Sequence, residues 1–284
     1  MNYRHAFHAG NFADVFKHAV LALIVSYLKE KPGAFRILDT HAGSALYDLS
    51  GAEAMRTGEW REGIARLLAA PPPPPVSDLL SAFLTVFAKH NPDGAISTYP
   101  GSPVLARALL RDQDRLIACE LHPPSFAALA TALAGDRRVT TVATDGWQAL
   151  AAYLPPAERR GLVLVDPPFE AEGEFNRLIE GLAVIHKKWA TGIAMLWYPI
   201  KDTRAVEAFA RGLAALGTAN ILRAELFVAE PTASSALAGC GLAIVNPPWQ
   251  LHEQLAVLLP YLTETLRRGG GSPPPRLQWI SGPH

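Results

Sequence analysis

Gly161-Leu-Val-Leu-Val-Asp-Pro-Pro-Phe169 decides how this chain is read. Its first five residues form an unbroken apolar run of strand length, the pattern of a strand buried on both faces. Asp166 and two prolines stop it. Proline has no N–H, so the ladder cannot continue and the carbonyls beside it stay free as acceptors. A carboxylate followed by a free carbonyl can grip both hydrogens of an exocyclic amino group. Phe169 then offers a ring to the base that carries the group. Outward toward the C-terminus the pattern predicts helix 174–188, strand 192–197, helix 202–216, strands 221–228 and 242–245, and helix 250–267. Outward toward the N-terminus it predicts strands at 138–144, 115–120 and 35–39, with helices at 146–153, 123–134 and 77–90. Helices at 52–70 and an amphipathic 12–30 complete the series. Such alternation implies an α/β fold, a mostly parallel sheet covered on both faces.

In a doubly wound sheet ligands sit at the carboxyl ends of strands. Four strand ends carry acids: Asp39, Glu120, Asp145 and Asp166. One acid there is often just a helix cap; four in succession line one edge. The first turn, Asp39-Thr-His-Ala-Gly-Ser-Ala45, is neither the dinucleotide fingerprint nor a phosphate loop, which disfavours NAD and ATP. An acid-rich edge suits a cationic cofactor without phosphates, S-adenosyl-L-methionine. Glu120 has the chemistry for ribose hydroxyls and Asp145 for an adenine amino group. Asn246-Pro-Pro-Trp249 repeats the pattern of Asp166-Pro-Pro-Phe169, but it follows a late strand, expected to be reversed and to end away from the cofactor.

The remaining features bound the class. The chain has 284 residues, 49% hydrophobic, and equal numbers of basic and acidic residues, 26 each. It is no polycation, although a local basic face is allowed. Cys119 and Cys240 are the only cysteines, so there is neither a disulfide framework nor a zinc motif. No apolar run is long enough to span a bilayer, and MNYRHAFHAGNF shows no signal region; a soluble cytoplasmic protein is expected. Pro71 to Pro75 reads as a stiff linker. In the N-terminal arm, Arg4, Lys17 and the aromatics suit phosphate contact and base stacking. His5, His8 and Asp14 match no standard metal set.

The segments YRHAFHAGNFADVFKH (3–18), LDTHAG (38–43), RTGEW (56–60), YPGSP (99–103), CELHP (119–123), DGW (145–147), VDPPF (165–169), LWYPI (196–200) and VNPPW (245–249) together resemble the bacterial 23S ribosomal RNA adenine-N6 methyltransferases of the J type. The resemblance implies a Rossmann-like class I methyltransferase fold with a mostly parallel seven-stranded sheet. The methyltransferase domain would span 1–47 and 98–284, and a helical insertion 48–97. It implies S-adenosyl-L-methionine contacts from His18, His41, Ser102, Glu120, Asp145, Gly146 and Asp166. Asp166, with Pro167 and Phe169, would be catalytic. Tyr3, Arg4 and Lys17 would meet the substrate, with Lys187 and Lys188 as further RNA-contacting cations. Phe169 stands where the family usually has Tyr, which keeps stacking and loses a hydroxyl. The partner it implies is 23S ribosomal RNA, naked or early in assembly, and a monomer without metal is expected. DNA adenine-N6 methylation and a non-catalytic RNA-binding module are the alternatives.

Overall fold

The computed structural model describes residues 3–231 and 237–282. Its strands are β1 (Arg36–Asp39), β2 (Leu46–Asp48), β3 (Thr98–Pro100), β4 (Arg115–Glu120), β5 (Val139–Ala143), β6 (Gly161–Val165), β7 (Ile193–Ile200), β8 (Ile221–Phe227), β9 (Gly239–Val245) and β10 (Arg276–Ser281). β2 and β3 pair with each other; the other eight form one sheet in the order β5-β4-β1-β6-β7-β9-β8-β10. β5, β4, β1, β6 and β7 run parallel, β9 is antiparallel to both its neighbours, and β10 is antiparallel to β8. The seven strands implied by the resemblance are therefore eight, the addition being β10, where Leu277 to Ile280 of the tail also read as an edge strand.

The helices are α1 (Phe12–Lys29), α2 (Ala52–Thr57), α3 (Ile64–Ala69), α4 (Pro74–Lys89), α5 (Ser102–Leu109), α6 (Pro123–Ala132), α7 (Gly146–Tyr153), α8 (Glu174–Trp189), α9 (Thr203–Ala215) and α10 (Leu251–Leu266). Side chains alternate across the sheet. Leu162 and Leu164 of β6 pack with α1, α5 and α10; Val163 and Val165 pack with α7, α8 and α9. No helix among the described residues is long and apolar enough to cross a membrane.

Three local expectations change. α1 is not amphipathic: from Phe12 to Val25 every residue is buried, because α4, α5 and α10 cover the side turned away from the sheet. The helix expected over 52–70 breaks at Gly58, whose φ of 65° ends α2, and at Gly63. There a Cβ would lie 2.1 Å from the Gly10 carbonyl oxygen, so only glycine lets the segment press against the arm. Finally, Pro71 to Pro75 is not all linker. Pro74 and Pro75 open α4, where an N–H has no intrahelical partner to lose. The 48–97 segment shares the main core through Leu80, Phe83 and Phe87.

The sheet order reverses beside β1: β4 and β5 lie on one side, β6 and β7 on the other. A crevice opens where the carboxyl ends of β1 and β6 diverge.

Candidate active site

The ends of β1, β4 and β6, with the N-terminal arm, enclose a cavity of about 760 Å³, large enough for a nucleotide-sized cofactor with a base beside it. Asp39 closes β1 and is buried. Ser102, the first residue of α5, donates to its Oδ2 at 2.6 Å. Burial pushes the Asp39 carboxyl up to about 7, against the pull of that hydroxyl. The Thr40 hydroxyl donates to the Leu164 carbonyl at 2.9 Å, so it accepts from His41 Nδ1 at 2.8 Å. Burial lowers His41 to about 4, so the ring is neutral and Nε2 is left as an acceptor.

Glu120 at the end of β4 is oriented from both sides. The Gly43 N–H donates to Oε2 at 2.9 Å and the His122 N–H to Oε1 at 2.7 Å. Asp145 caps α7, with Oδ1 accepting from the N–H groups of Trp147 and Gln148 at 2.9 and 3.1 Å. The helix-cap role is thus real, yet it engages one oxygen only. Gly146 lets α7 approach the first turn: a Cβ there would lie 2.4 Å from the Thr40 carbonyl oxygen.

Asp166 follows β6 and holds the end of a buried chain of polar groups. Lys17 Nζ donates to Asp166 Oδ2 and lies 2.9 Å from Asp14 Oδ1. Asp14 Oδ2 takes the Gly10 N–H and His5 Nε2, both at 2.9 Å. His5 Nδ1 in turn lies 2.7 Å from the Tyr3 hydroxyl. Burial opposes charge on Lys17, but Asp14 and Asp166 outweigh it and hold the ammonium well above its usual range. Burial likewise opposes charge on Asp14, and His5 and Lys17 overcome it, holding the carboxyl well below the usual range. Phe169 adopts φ of 52°, rare for a bulky residue, with its ring edge-to-face on Phe175 and Trp197, centroids 5.1 and 5.8 Å away.

A sequence profile of the family described as "Ribosomal RNA large subunit methyltransferase D, RlmJ" matches residues 32–281. The chain belongs to that family. Ribosomal RNA large subunit methyltransferase J of Escherichia coli K12 is 42% identical over 270 residues, 95% of each chain. Its counterpart of the same name in Haemophilus influenzae is 40% identical over 283 residues, 99% of each chain. The fold is similar to the crystal structure of protein LPL1258 from Legionella pneumophila, with a TM-score of 0.87, 33% identity and coverage of 96% and 98% of the two chains. The sheet of this RlmJ-family chain is the expected mostly parallel α/β sheet with one added edge strand.

Within the RlmJ-family site, the cavity walls include Tyr3, Lys17, His18, His41, Ser102, Glu120, Asp145, Gly146, Asp166, Pro167 and Phe169. Arg4 is not among them; it pairs with Glu53 of α2 at 2.7 Å. Lys17 was expected on an RNA-facing arm. It is instead 4% exposed and paired with two carboxylates, which leaves it unavailable to a phosphate. Lys187 and Lys188 end α8 at the opposite edge of the sheet, where Lys188 Nζ donates to the Ala151 carbonyl at 2.6 Å. Asn246 ends the reversed strand β9, away from the cavity. From sequence, Asp14 is weighed only as a metal ligand and its pairing with Lys17 is missed, although their spacing of three on one helix face is visible. Among the described residues no group of three or more His, Cys, Asp or Glu is placed to hold a metal ion.

The residues fit S-adenosylmethionine. His18 donates to or accepts from the Tyr99 hydroxyl through Nδ1 at 2.8 Å, while its buried Nε2 has no partner and lines the cavity. Burial lowers His18 to about 3, so that nitrogen belongs to a neutral ring. The orphan nitrogen, the oriented Glu120 carboxylate, the spare oxygen of Asp145 and the close approach at Gly146 supply polar partners around a ligand-sized space.

Proposed function

We propose that the protein methylates N6 of an adenine in 23S ribosomal RNA, with S-adenosylmethionine as donor. Membership of a large-subunit ribosomal RNA methyltransferase family supports the substrate class. The observation that carries the chemistry is Asp166-Pro167 at the sheet's crevice, with Lys17 tying only one carboxylate oxygen.

Glu120 would hold the ribose diol of the cofactor, Asp145 its adenine amino group, and Ser102, His18 and His41 its amino-acid end. When bound, the cofactor supplies an electrophilic methyl on a sulfonium. Asp166 Oδ1 and the Pro167 carbonyl accept both hydrogens of the target amino group, fixing the nitrogen for attack. Phe169 flanks the base. As the nitrogen gains its methyl it becomes acidic, and its surplus proton passes to Asp166 Oδ1. Lys17 keeps the Asp166 carboxylate from swinging away. Tyr3 stands at the cavity wall to meet the substrate, and Arg4 at the rim. The base must leave its stack, so the substrate is naked or early-assembly RNA in the cytoplasm, met by a monomer.

Labelled transfer to deproteinised large-subunit ribosomal RNA, with nucleoside mass spectrometry, tests this. N6-methyladenosine should form, and Asp166→Asn should lower kcat about a hundredfold or more. Transfer to DNA in preference to RNA would replace the substrate assignment. Cofactor binding without transfer to either would make the protein a binding module.

A further inference from the structure

The second Pro-Pro motif, Asn246-Pro-Pro-Trp249, lies outside the cavity yet is firmly built. Asn246 Nδ2 donates to the carbonyls of Ala190 and Gly192 at 2.8 and 2.9 Å, and its N–H to Asn220 at 2.9 Å. Its φ of 49° turns the chain out of β9 at the amino-terminal edge of the parallel strands. The turn leaves Trp249 73% exposed. Gln250 Nε2 lies 3.4 Å from Glu30 Oε1, which seats the turn beside the end of α1.

Five cations and one exposed acid, Glu30, lie on the segments around this turn. Lys29, Lys31, Arg159 and Lys187 are exposed, and with Arg160 they form no salt bridge among the described residues. Arg160 donates to the carbonyls of Leu28 and Gly33, which orients its guanidinium without cancelling the charge. The same edge continues along the sheet. Arg36 sits beside Arg115 and beside Gly161, which follows Arg160, in the strand register. Glu158 neutralises Arg36, whereas Arg115 donates to backbone carbonyls only. In a chain with no net charge, this edge joins uncancelled cations to an exposed aromatic on a stiff turn. That combination suits stacking on an unpaired base flanked by phosphates.

We propose that the amino-terminal edge of the sheet is a second docking surface for the substrate RNA, with Trp249 stacking on an unpaired base and Lys29, Lys31, Arg159 and Arg160 taking phosphates. This rests on the RNA methyltransferase function proposed above. Arg160 and Asp166 bracket β6, so the two sites are about 20 Å apart along an extended strand. RNA that fills the cavity reaches this edge only by extending around the molecule. The docked segment therefore lies outside the stretch of RNA that carries the target base.

The test compares kcat and KM on deproteinised large-subunit ribosomal RNA and on the shortest RNA fragment that still accepts a methyl group. Trp249→Ala, and Lys29→Gln with Lys31→Gln, should each raise KM for the long RNA about tenfold and leave kcat unchanged. Trp249→Phe should restore the wild-type KM, and no variant should differ from wild type on the short fragment. Equal KM values on the long RNA, or equal losses on both RNAs, would overturn the proposal. Sedimentation showing wild-type self-association that Trp249→Ala abolishes would make the edge a dimer face and overturn it too. A wild-type protein that methylates no RNA would overturn the proposed function first.

Discussion

Asp39 and Asp166 end neighbouring strands, but only one of them has a cation. Asp166 is tied to Lys17, whereas Asp39 has the Ser102 hydroxyl and lies buried, its carboxyl raised to about 7. In the unfolded chain the same carboxyl titrates near 3.9. Between those values the folded protein holds a proton that the unfolded chain has released. Its contribution to stability is complete below about 3.9 and is lost as pH rises through 7. Asp39 does not line the cavity, but Ser102, which donates to it, does. A cationic ligand against Ser102 favours the carboxylate through the short intervening distance, and binding then releases the proton. S-adenosylmethionine should therefore bind more tightly at pH 8 than at pH 6, by up to about tenfold per pH unit below 7. Calorimetric titrations at three pH values, in two buffers of different ionisation enthalpy, would show both the affinity and the released proton. Asp39→Asn should weaken binding and flatten the dependence, while raising the Tm of the ligand-free protein at pH 8. A wild-type affinity constant across this range would show that the cofactor does not feel the Asp39 charge.

At the scale of elements, the site depends on how closely α7 meets the turn after β1. Gly146→Ala would place a Cβ 2.4 Å from the Thr40 carbonyl and 2.8 Å from His41 Nε2, so the helix start or the turn must move. The expected result is a loss of cofactor affinity of tenfold or more with helical content intact; calorimetry and circular dichroism check the two halves. Much of this architecture was legible in sequence because its signals are local. The apolar runs ending in Asp39, Glu120 and Asp166 mark parallel strands, and the small-residue turn at 40–45 marks a close approach. What was not legible depends on distant partners. β2, β3 and α5 are short and held by bonds outside any periodic pattern: the Gly101 N–H donates to the distant Ala45 carbonyl, and Asn91 Oδ1 accepts from the N–H groups of Ser97 and Thr98. α1 carries no sign that three other helices will cover its outer side. Lys17 reads as a free cation until the fold brings up Asp166, 149 residues away.

At the scale of the whole molecule, chemistry and anchoring occupy different strands of one sheet. The crevice lies at β1 and β6, while the opposite end is fastened by a buried ionic network. Arg223 of β8 is 1% exposed and lies 2.7 Å from Glu225 and 2.9 Å from Glu207 of α9. The Tyr198 hydroxyl of β7 donates to Glu225 at 2.9 Å, and Arg276 of β10 reaches Glu207 at 2.6 Å and Glu225 at 3.1 Å. The network thus joins the added edge strand β10 to three elements of the main fold. Two strands, β9 and β7, separate β8 from β6, so its loss should be felt in stability and not in catalysis. Arg223→Met leaves Glu225 buried beside a single, half-exposed arginine, and breaking a buried pair this way costs about 3–5 kcal/mol. In a domain of this size that corresponds to a fall in Tm of about 10 °C. Methyl transfer at low temperature should keep the wild-type kcat and KM. Arg223→Met combined with Glu225→Leu removes the stranded charge along with its partner, so it should recover most of the lost Tm. Thermal melts of the single and double variants, alongside kinetics at 20 °C, separate the two roles. A kcat that falls with the Tm, and recovers with it, would show instead that the far edge of the sheet sets the geometry of the crevice.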